Sequence, residues 1–296
     1  MKQMRCPGLW SAVGLFALGA ALLGCDGQPE LGSSASVSPA DSNQPGANMA
    51  LRLGSVLGGA VDDFRRASSP REFHFPADHG VHPEFRSEWW YLTCPLRAGS
   101  GAEFGVQFTL FRQGLEPRTP EKTSPTPTPA ALWRSGQIYM AHAAITDVEE
   151  GVHSEATRLS RGHPDLAGVS AAAGDRPFSV YLEDWRLVAD DGNLANMNLA
   201  LNHPGTADGS HAFQVQLALS PTKPIVLQGD GGLSSKGGDE ASYYYSLSRM
   251  TATGALRSRA GGEPHNVRGA CWFDREWSTS VLAPGVQGWD LSLIHI

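Results

Sequence analysis

A two-residue alternation of apolar and polar side chains recurs along this chain, and it limits the available folds more than any other feature. Phe104, Val106, Phe108 and Leu110 share one parity in residues 103–113, as do Ile138, Met140, His142 and Ala144 in residues 137–148. Phe178, Val180 and Leu182 alternate with Tyr181, Glu183 and Trp185; Phe213, Val215, Leu217 and Leu219 alternate with Gln214 and Gln216; Tyr243, Tyr245 and Leu247 repeat the pattern. Side chains two apart on a strand point the same way, so each segment is expected to turn one face to a core. Turn-forming clusters at residues 97–101, 190–192, 203–209 and 229–232 separate the segments. With 34 glycines and 20 prolines in 296 residues, a helical bundle is excluded in favour of many short strands. The expected class is all-β, an antiparallel barrel or sandwich. Residues 49–66 form a weak helical candidate of mixed spacing. Residues 117–129 hold five prolines and read as an extended, polyproline-like loop insertion.

The N-terminus reads as an address. Lys2 and Arg5 precede an apolar run over residues 9–23, too short and too rich in small residues for a membrane span. The run ends in Leu22-Leu23-Gly24-Cys25, a bacterial lipobox, so residues 1–24 are expected to be a signal peptide and Cys25 the lipidated residue. Several acyl chains on one residue give stable anchoring, which places the protein in the bacterial cell envelope, facing the periplasm or the exterior. Residues 25–71 begin with Ser, Pro, Gly and Asn-rich sequence and are expected to be a flexible tether. Loss of Lys2 and Arg5 takes 23 basic residues to 21 against 30 acidic ones, so a net charge of −7 becomes −9. No basic excess remains to displace counterions, which argues against nucleic acid as a partner. Cys6 leaves with the signal. Cys94 and Cys271 remain, and an oxidising compartment permits a disulfide between them; two buried free thiols are the alternative.

Four groups of residues could carry chemistry. In Trp272-Phe-Asp274-Arg275-Glu276-Trp277, a strand would put Trp272, Asp274 and Glu276 on one face with the carboxylates about 7 Å apart. Two carboxylates in an aromatic wall can hold one proton near neutrality and protonate an alkene, with the rings stabilising the cation. The competing reading is structural, Arg275 paired with Glu276 or Asp274. In Asp78-His79-Gly-Val-His82, framed by Pro76 and Pro83, Asp78 caps a rigid turn and His79 is either part of it or a ligand contact. No HExxH pattern accompanies the two histidines or Glu88, so no metal is expected. The adjacent Trp89 and Trp90 should point to opposite faces. His142 shares its parity with Ile138 and Met140, the usual setting of a core histidine. The glycine-rich residues 228–238 lack the order of a P-loop, and no Gly-x-Ser-x-Gly elbow supports a serine hydrolase.

Several of these strings resemble one family. Phe75-Pro-Ala-Asp-His79-Gly-Val-His82-Pro, Ser87-Glu-Trp-Trp-Tyr91, Phe104-Gly-Val-Gln107, Gln137-Ile-Tyr-Met140-Ala-His142, Leu182-Glu-Asp-Trp185, Leu227-Gln-Gly-Asp230, Ala241-Ser-Tyr-Tyr-Tyr245-Ser and Trp272 to Ser278 are similar, in order, to the lipocalin-like carotenoid 1,2-hydratase (CrtC/AttH-like) superfamily, in its bacterial lipoprotein branch. The resemblance implies two tandem lipocalin-like domains, the first over residues 72–262 and the second starting at 263–290. It implies a barrel enclosing a hydrophobic small molecule, with no cofactor. Asp274 would be the proton donor of an isoprenoid-alkene hydratase or isomerase, with Glu276 and Tyr245 beside it. His79, Trp90, Gln107, Tyr139, His142, Trp185 and Trp272 would contact the ligand. The hydratase branch carries a His-x-Trp pair where this chain reads Tyr243-Tyr-Tyr245-Ser. A lipid-binding lipoprotein working with an ABC-type export system is the alternative implied, and a secreted hydrolase a more remote one.

The family continues well past Trp289-Asp290, whereas this sequence closes on Leu291-Ser-Leu-Ile-His-Ile296. Those six residues are also the translation of a transposon mosaic end used as a sequencing adapter. Residues 291–296 are therefore expected to be an artefact and the second domain to be truncated. Resequencing the locus across codon 290 checks this: an open reading frame continuing with unrelated codons is expected, and a native stop after Ile296 would refute it.

Overall fold

The structure is a computed structural model describing residues 63–117, 136–171, 177–189, 192, 194–207 and 211–279. The signal, the lipobox, the adapter-like tail, most of the helical candidate and residues 118–129 of the proline-rich insertion lie outside them. A single 3-10 turn, Ala77–His79, precedes thirteen strands. They are β1 (Ser87–Ala98), β2 (Glu103–Gly114), β3 (Gln137–Asp147), β4 (Val152–Arg161), β5 (Ala167–Ser170), β6 (Phe178–Leu182), β7 (Trp185–Ala189), β8 (Met197–His203), β9 (Phe213–Pro221), β10 (Val226–Leu227), β11 (Leu233–Gly237), β12 (Glu240–Arg257) and β13 (His265–Ser278). Hydrogen bonding orders them β4-β3-β2-β1-β13-β12-β9-β8-β7-β6-β5, while β10 and β11 pair with the first half of β12. Every pairing is antiparallel.

The sheet curls until β4 approaches β6, giving the nearly closed barrel of a lipocalin-like fold. Arg158 on β4 fastens the seam. It pairs with Glu183 at 3.2 Å and with Asp184, donates to the Asn202 carbonyl at 3.0 Å, and lies 4.1 Å over the Trp185 ring. Glycine permits the tight crossings: a Cβ at Gly254 on β12 would stand 2.0 Å from the Gln216 carbonyl oxygen of β9.

Residues of one parity meet inside. Trp90, Leu92, Phe108, Leu110, Phe178, Val180, Trp185, Leu187, Val215, Tyr245 and Phe273 are all essentially inaccessible and belong to one continuous core. Each such side chain contributes about 1.5–3 kcal/mol by leaving water. The alternation read in β2, β6, β9 and β12 selects these faces. β3 is a correction: Tyr139, Ala141, Ala143 and Ile145 point inward, and Ile138, Met140 and His142 point outward half-buried. Both parities of that strand are apolar, so periodicity alone could not choose. A second correction concerns Trp185. The chain reverses at Glu183, whose φ is 57°, so Trp185 returns on β7 opposite Leu182 and faces inward.

Two boundaries move. β13 lies between β1 and β12 in the middle of the sheet, so residues 265–278 belong to this barrel rather than to the start of a following domain at 263. The glycines of the β12–β13 connection mark a hairpin, not a linker. At the other end, Phe64 and Ala67 are buried and the Arg65 N–H donates to the Glu84 carbonyl, so packed structure begins before residue 72.

One mouth of the barrel is closed by a buried charge cluster. Glu88 is wholly inaccessible, is ion-paired with Arg112, whose Nε lies 2.6 Å away, and accepts from Arg275 Nη2 and from the His82 N–H at 2.9 Å. Arg275 also donates to the Gly80 carbonyl at 2.6 Å and lies 4.0 Å over the Trp90 ring. The pairing of Arg275 with its strand neighbours Glu276 or Asp274 is thereby corrected: alternation sends Arg275 inward and both carboxylates outward. His82 bridges to Asp78, which Arg71 and the His74 N–H hold. Burial opposes the charge on Glu88, yet Arg112 and Arg275 outweigh it and hold the carboxyl well below its usual range. His79 sits in the same plug, its Nδ1 2.5 Å from the Tyr245 hydroxyl; burial first and Arg275 second push it down to about 4.

Cys94 and Cys271 face each other across β1 and β13 and are bonded, 177 residues apart in sequence. Closing so long a loop restricts the unfolded chain by about 5 kcal/mol in the entropic account. The double variant C94A/C271A should lose roughly 2–5 kcal/mol in urea unfolding, and a reductant should destabilise the parent but not the variant. A depressed His79 contributes stability present above its unfolded value of about 6.5 and lost as pH falls toward 4. Unfolding curves between pH 7 and 4 should show a loss of about 3 kcal/mol attributable to this one group, absent in H79Q.

Candidate functional site

The outward face of the sheet differs from the solvated face usual for an antiparallel barrel. Register sets its rows. Ser246, Asp274, Tyr91, Thr109 and His142 lie side by side across β12, β13, β1, β2 and β3. One row along stand Tyr244, Glu276, Trp89, Phe111 and Met140; on the other side stand Trp272, Thr93, Gln107 and Ala144. Trp89, Tyr91, Phe111, Met140, His142 and Trp272 are half-buried, so the face is an aromatic surface rather than a charged one. Phe111 bridges Trp89 at 6.5 Å and His142 at 5.4 Å between ring centroids.

Asp274 is the ionisable group this face buries most deeply, at 1 % exposure. Its Oδ1 accepts from Ser246 Oγ at 2.5 Å and from Trp272 Nε1 at 2.6 Å. Oδ2 is buried and takes no conventional hydrogen bond among the described residues, although the Tyr244 phenol interacts with the same carboxyl. Burial pushes Asp274 up to about 6 against the lowering effect of Ser246, Trp272 and Tyr244, with Glu276 adding to the rise. Desolvation and the Asp274 charge together drive the Tyr244 phenol far above its ordinary value, so it stays protonated. Glu276, 4 % exposed, is paired with Lys236 at 2.6 Å, and that ammonium also stands 5.5 Å from the Tyr244 ring centroid. Gln228, beyond β10, donates from Nε2 to Ser246 Oγ at 2.9 Å.

The sheet divides the residues singled out from the sequence. Asp274, Glu276, Trp272, Gln107 and His142 share the outward face. His142 is three strands from Asp274, about 14 Å at ordinary strand spacing, and burial lowers its basicity. Tyr245, His79, Trp90, Tyr139 and Trp185 all point into the core. Trp90 Nε1 donates to the His79 carbonyl at 3.0 Å, Trp185 Nε1 to the Asn202 carbonyl at 2.8 Å, and the Tyr139 hydroxyl to Gln137 at 2.9 Å. Tyr245 is thus separated from Asp274 by the sheet itself; its neighbours Tyr244 and Ser246 stand beside the acid instead. The inner wall expected to enclose cargo is occupied by these side chains, whereas the outer face carries half-buried rings. Tyr244, Ser246, Gln228, Lys236 and Tyr91 stand in the strings quoted from the sequence but carry no role there beside Asp274, because that role depends on strand register. The order Gln228, Lys236, Tyr244, Ser246 within one glycine-rich hairpin was the available signal.

Comparison with known proteins fits this geometry. No functionally curated protein matches the chain. A crystal structure from Nitrosomonas europaea assigned to AttH superposes with a TM-score of 0.57 at 30 % identity, covering 75 % of this chain and 60 % of that one. Kievitone hydratase from Nectria haematococca superposes at 0.45 with 13 % identity, covering 75 % and 59 %, a likeness too distant to transfer its activity. The chain thus spans about 60 % of the length of these structural relatives. Residues 66–296 match the AttH-like family, and with most of its length accounted for in that way the chain belongs to it.

Proposed function

We propose that the protein hydrates or isomerises an alkene in a hydrophobic, isoprenoid-like molecule laid across the outer aromatic face, with Asp274 as general acid. The observation that carries the reading is the Asp274 carboxyl itself. It is buried, raised to about 6, and set against the Trp272 indole on a face whose other large side chains are half-buried rings. A carboxylic acid with a pKa near the working pH is both present in its protonated form and acidic enough to give the proton up.

The step runs as follows. The alkene π pair takes the Asp274 proton, one carbon gains hydrogen, and the other becomes a cation. Trp272, Tyr91 and Trp89 offer π faces to that charge, a setting in which cation–π attraction is worth about 2 kcal/mol or more once desolvated. In hydration, water adds to the cation and loses a proton to the ionised Asp274, directly or by way of Glu276, restoring the acid. In isomerisation, loss of a neighbouring C–H proton does the same. Glu276, ion-paired with Lys236 at 2.6 Å, stands one row along the same face as a second carboxyl beside the acid. In this reading the protein works at the cell envelope, anchored through Cys25, with export proteins of the ABC type as partners that deliver or remove the hydrophobe.

The test is incubation of the full-length protein with acyclic carotenoid or polyprenyl extracts and a search by mass spectrometry for the gain of one water or for an isomer. D274N should lower turnover by at least about 100-fold without loss of binding. Because the acid form is the active one, kcat/KM should hold below pH 6 and fall roughly tenfold per unit above it. Bound but unaltered ligand would instead support a carrier, and turnover that survives D274N would remove Asp274 from the mechanism.

A further inference from the structure

We infer that Gln228, acting through Ser246, is a positioning residue that fixes the acid proton of Asp274 on Oδ2. Trp272 Nε1 can only donate, and it is committed to Oδ1 at 2.6 Å. Ser246 Oγ has a single proton and three neighbours, Gln228 Nε2 at 2.9 Å, Asp274 Oδ1 at 2.5 Å and the Tyr244 phenol. The Gln228 amide N–H is a donor, so it fills a lone pair on Ser246 and turns the serine proton toward Oδ1, the nearer oxygen that the geometry pairs with it. Oδ1 then accepts two hydrogen bonds, and a proton placed on it would collide with both donors. Oδ2 makes no hydrogen bond of ordinary geometry among the described residues, the Tyr244 phenol being the further donor that interacts with the carboxyl, and it is the oxygen left for the proton.

Gln228 is held for this role independently of its side chain. Its backbone N–H donates to the Tyr244 carbonyl at 3.0 Å, continuing the pairing of β10 with β12, and Ser246 is fully buried. The arrangement separates two tasks on one carboxyl. Oδ1 is anchored and stabilises the anion left after transfer, while Oδ2 delivers the proton. The groups facing Asp274 are Glu276 on its own strand, Tyr244 on β12 and Tyr91 on β1, with Lys236 of β11 reaching Glu276. None of them is altered in the variants below.

As a catalytic device this inference rests on the acid role of Asp274, so the test reads the carboxyl directly. The full-length protein, labelled with 13C-aspartate, is titrated by infrared difference spectroscopy, with D274N assigning the C=O stretch of protonated Asp274. The parent should give a single narrow band. S246A, which removes a donor to Oδ1, should raise the titration midpoint by about one unit. Q228L should broaden or split the band as the serine rotates. Q228E, whose carboxylate only accepts, should turn the serine proton away from Oδ1 and also raise the midpoint. If turnover is observed, the same variants should lower kcat by about tenfold with KM within about twofold, and shift the pH limb with the infrared midpoint. Circular dichroism confirms folding of each, and S246A, a buried near-isosteric change, stands in where Q228E does not fold. Unchanged bands and midpoints in S246A and Q228L would overturn the inference even in an active enzyme. The expected shifts in a protein without turnover would sustain the proton placement and defeat the hydratase reading alone.

Discussion

The fold depends on a carboxylate that water never reaches. Glu88 lies where β1 begins and gathers Arg112 from β2, Arg275 from β13 and the His82 turn that precedes β1. A lone ionised carboxylate in that position would be untenable, and each guanidinium would be as costly without it. Removing one member of such a cluster usually costs about 3–5 kcal/mol, because the remaining charges stay buried and unpaired. The cluster therefore specifies the register of three adjacent strands at once. A one-residue slip of β13 would send Arg275 to the outer face and bring Asp274 or Glu276 against Glu88.

Asp274 makes the opposite use of the same physics. Both carboxyls are buried, but Glu88 faces two guanidiniums, and Asp274 faces an indole, a serine and a phenol, with its nearest charged neighbour another carboxylate. Neutral donors recover only part of the solvation lost, so Glu88 remains an anion and Asp274 rises to about 6. The difference between an ionised carboxyl and one raised toward neutrality here is the identity of the surrounding groups and not the depth of burial.

How much of this was legible beforehand follows from what alternation encodes. The all-β class and the inward faces of β2, β6, β9 and β12 follow from a period of two. Trp272, Asp274 and Glu276 share a face for the same reason. Parity within one strand says nothing about which strand lies alongside, so the placement of Tyr245 beside Asp274 failed by one residue, and Ser246 and Tyr244 were missed. It also fails where both parities are apolar, as in β3, and that ambiguity was itself informative: Ile138, Met140 and His142 are outward residues on a face that water only half wets. Arg275 was misassigned because sequence neighbours on a strand point apart, while its true partner Glu88 is 187 residues away. The pairing of Cys94 with Cys271 needed the knowledge that β13 returns to lie against β1, which no local pattern contains.

β13 joins the inner charge cluster to the outer acid. Successive side chains along it alternate between the charge cluster inside and the acid outside: Phe273, Arg275 and Trp277 inward, Trp272, Asp274 and Glu276 outward. The strand is bonded to β1 by the disulfide, fixed at its inner face by Glu88, and hydrogen-bonded along both edges. A proton donor works only when its geometry is held within a fraction of an ångström, and a strand in the centre of a sheet is a stiffer mount than a loop. The energetic expense of the buried ion cluster and the precision that the proposed acid role demands of Asp274 thus fall on the same backbone. Rigidity obtained from the inner face is available, through the pleat, to the side chains on the outer one.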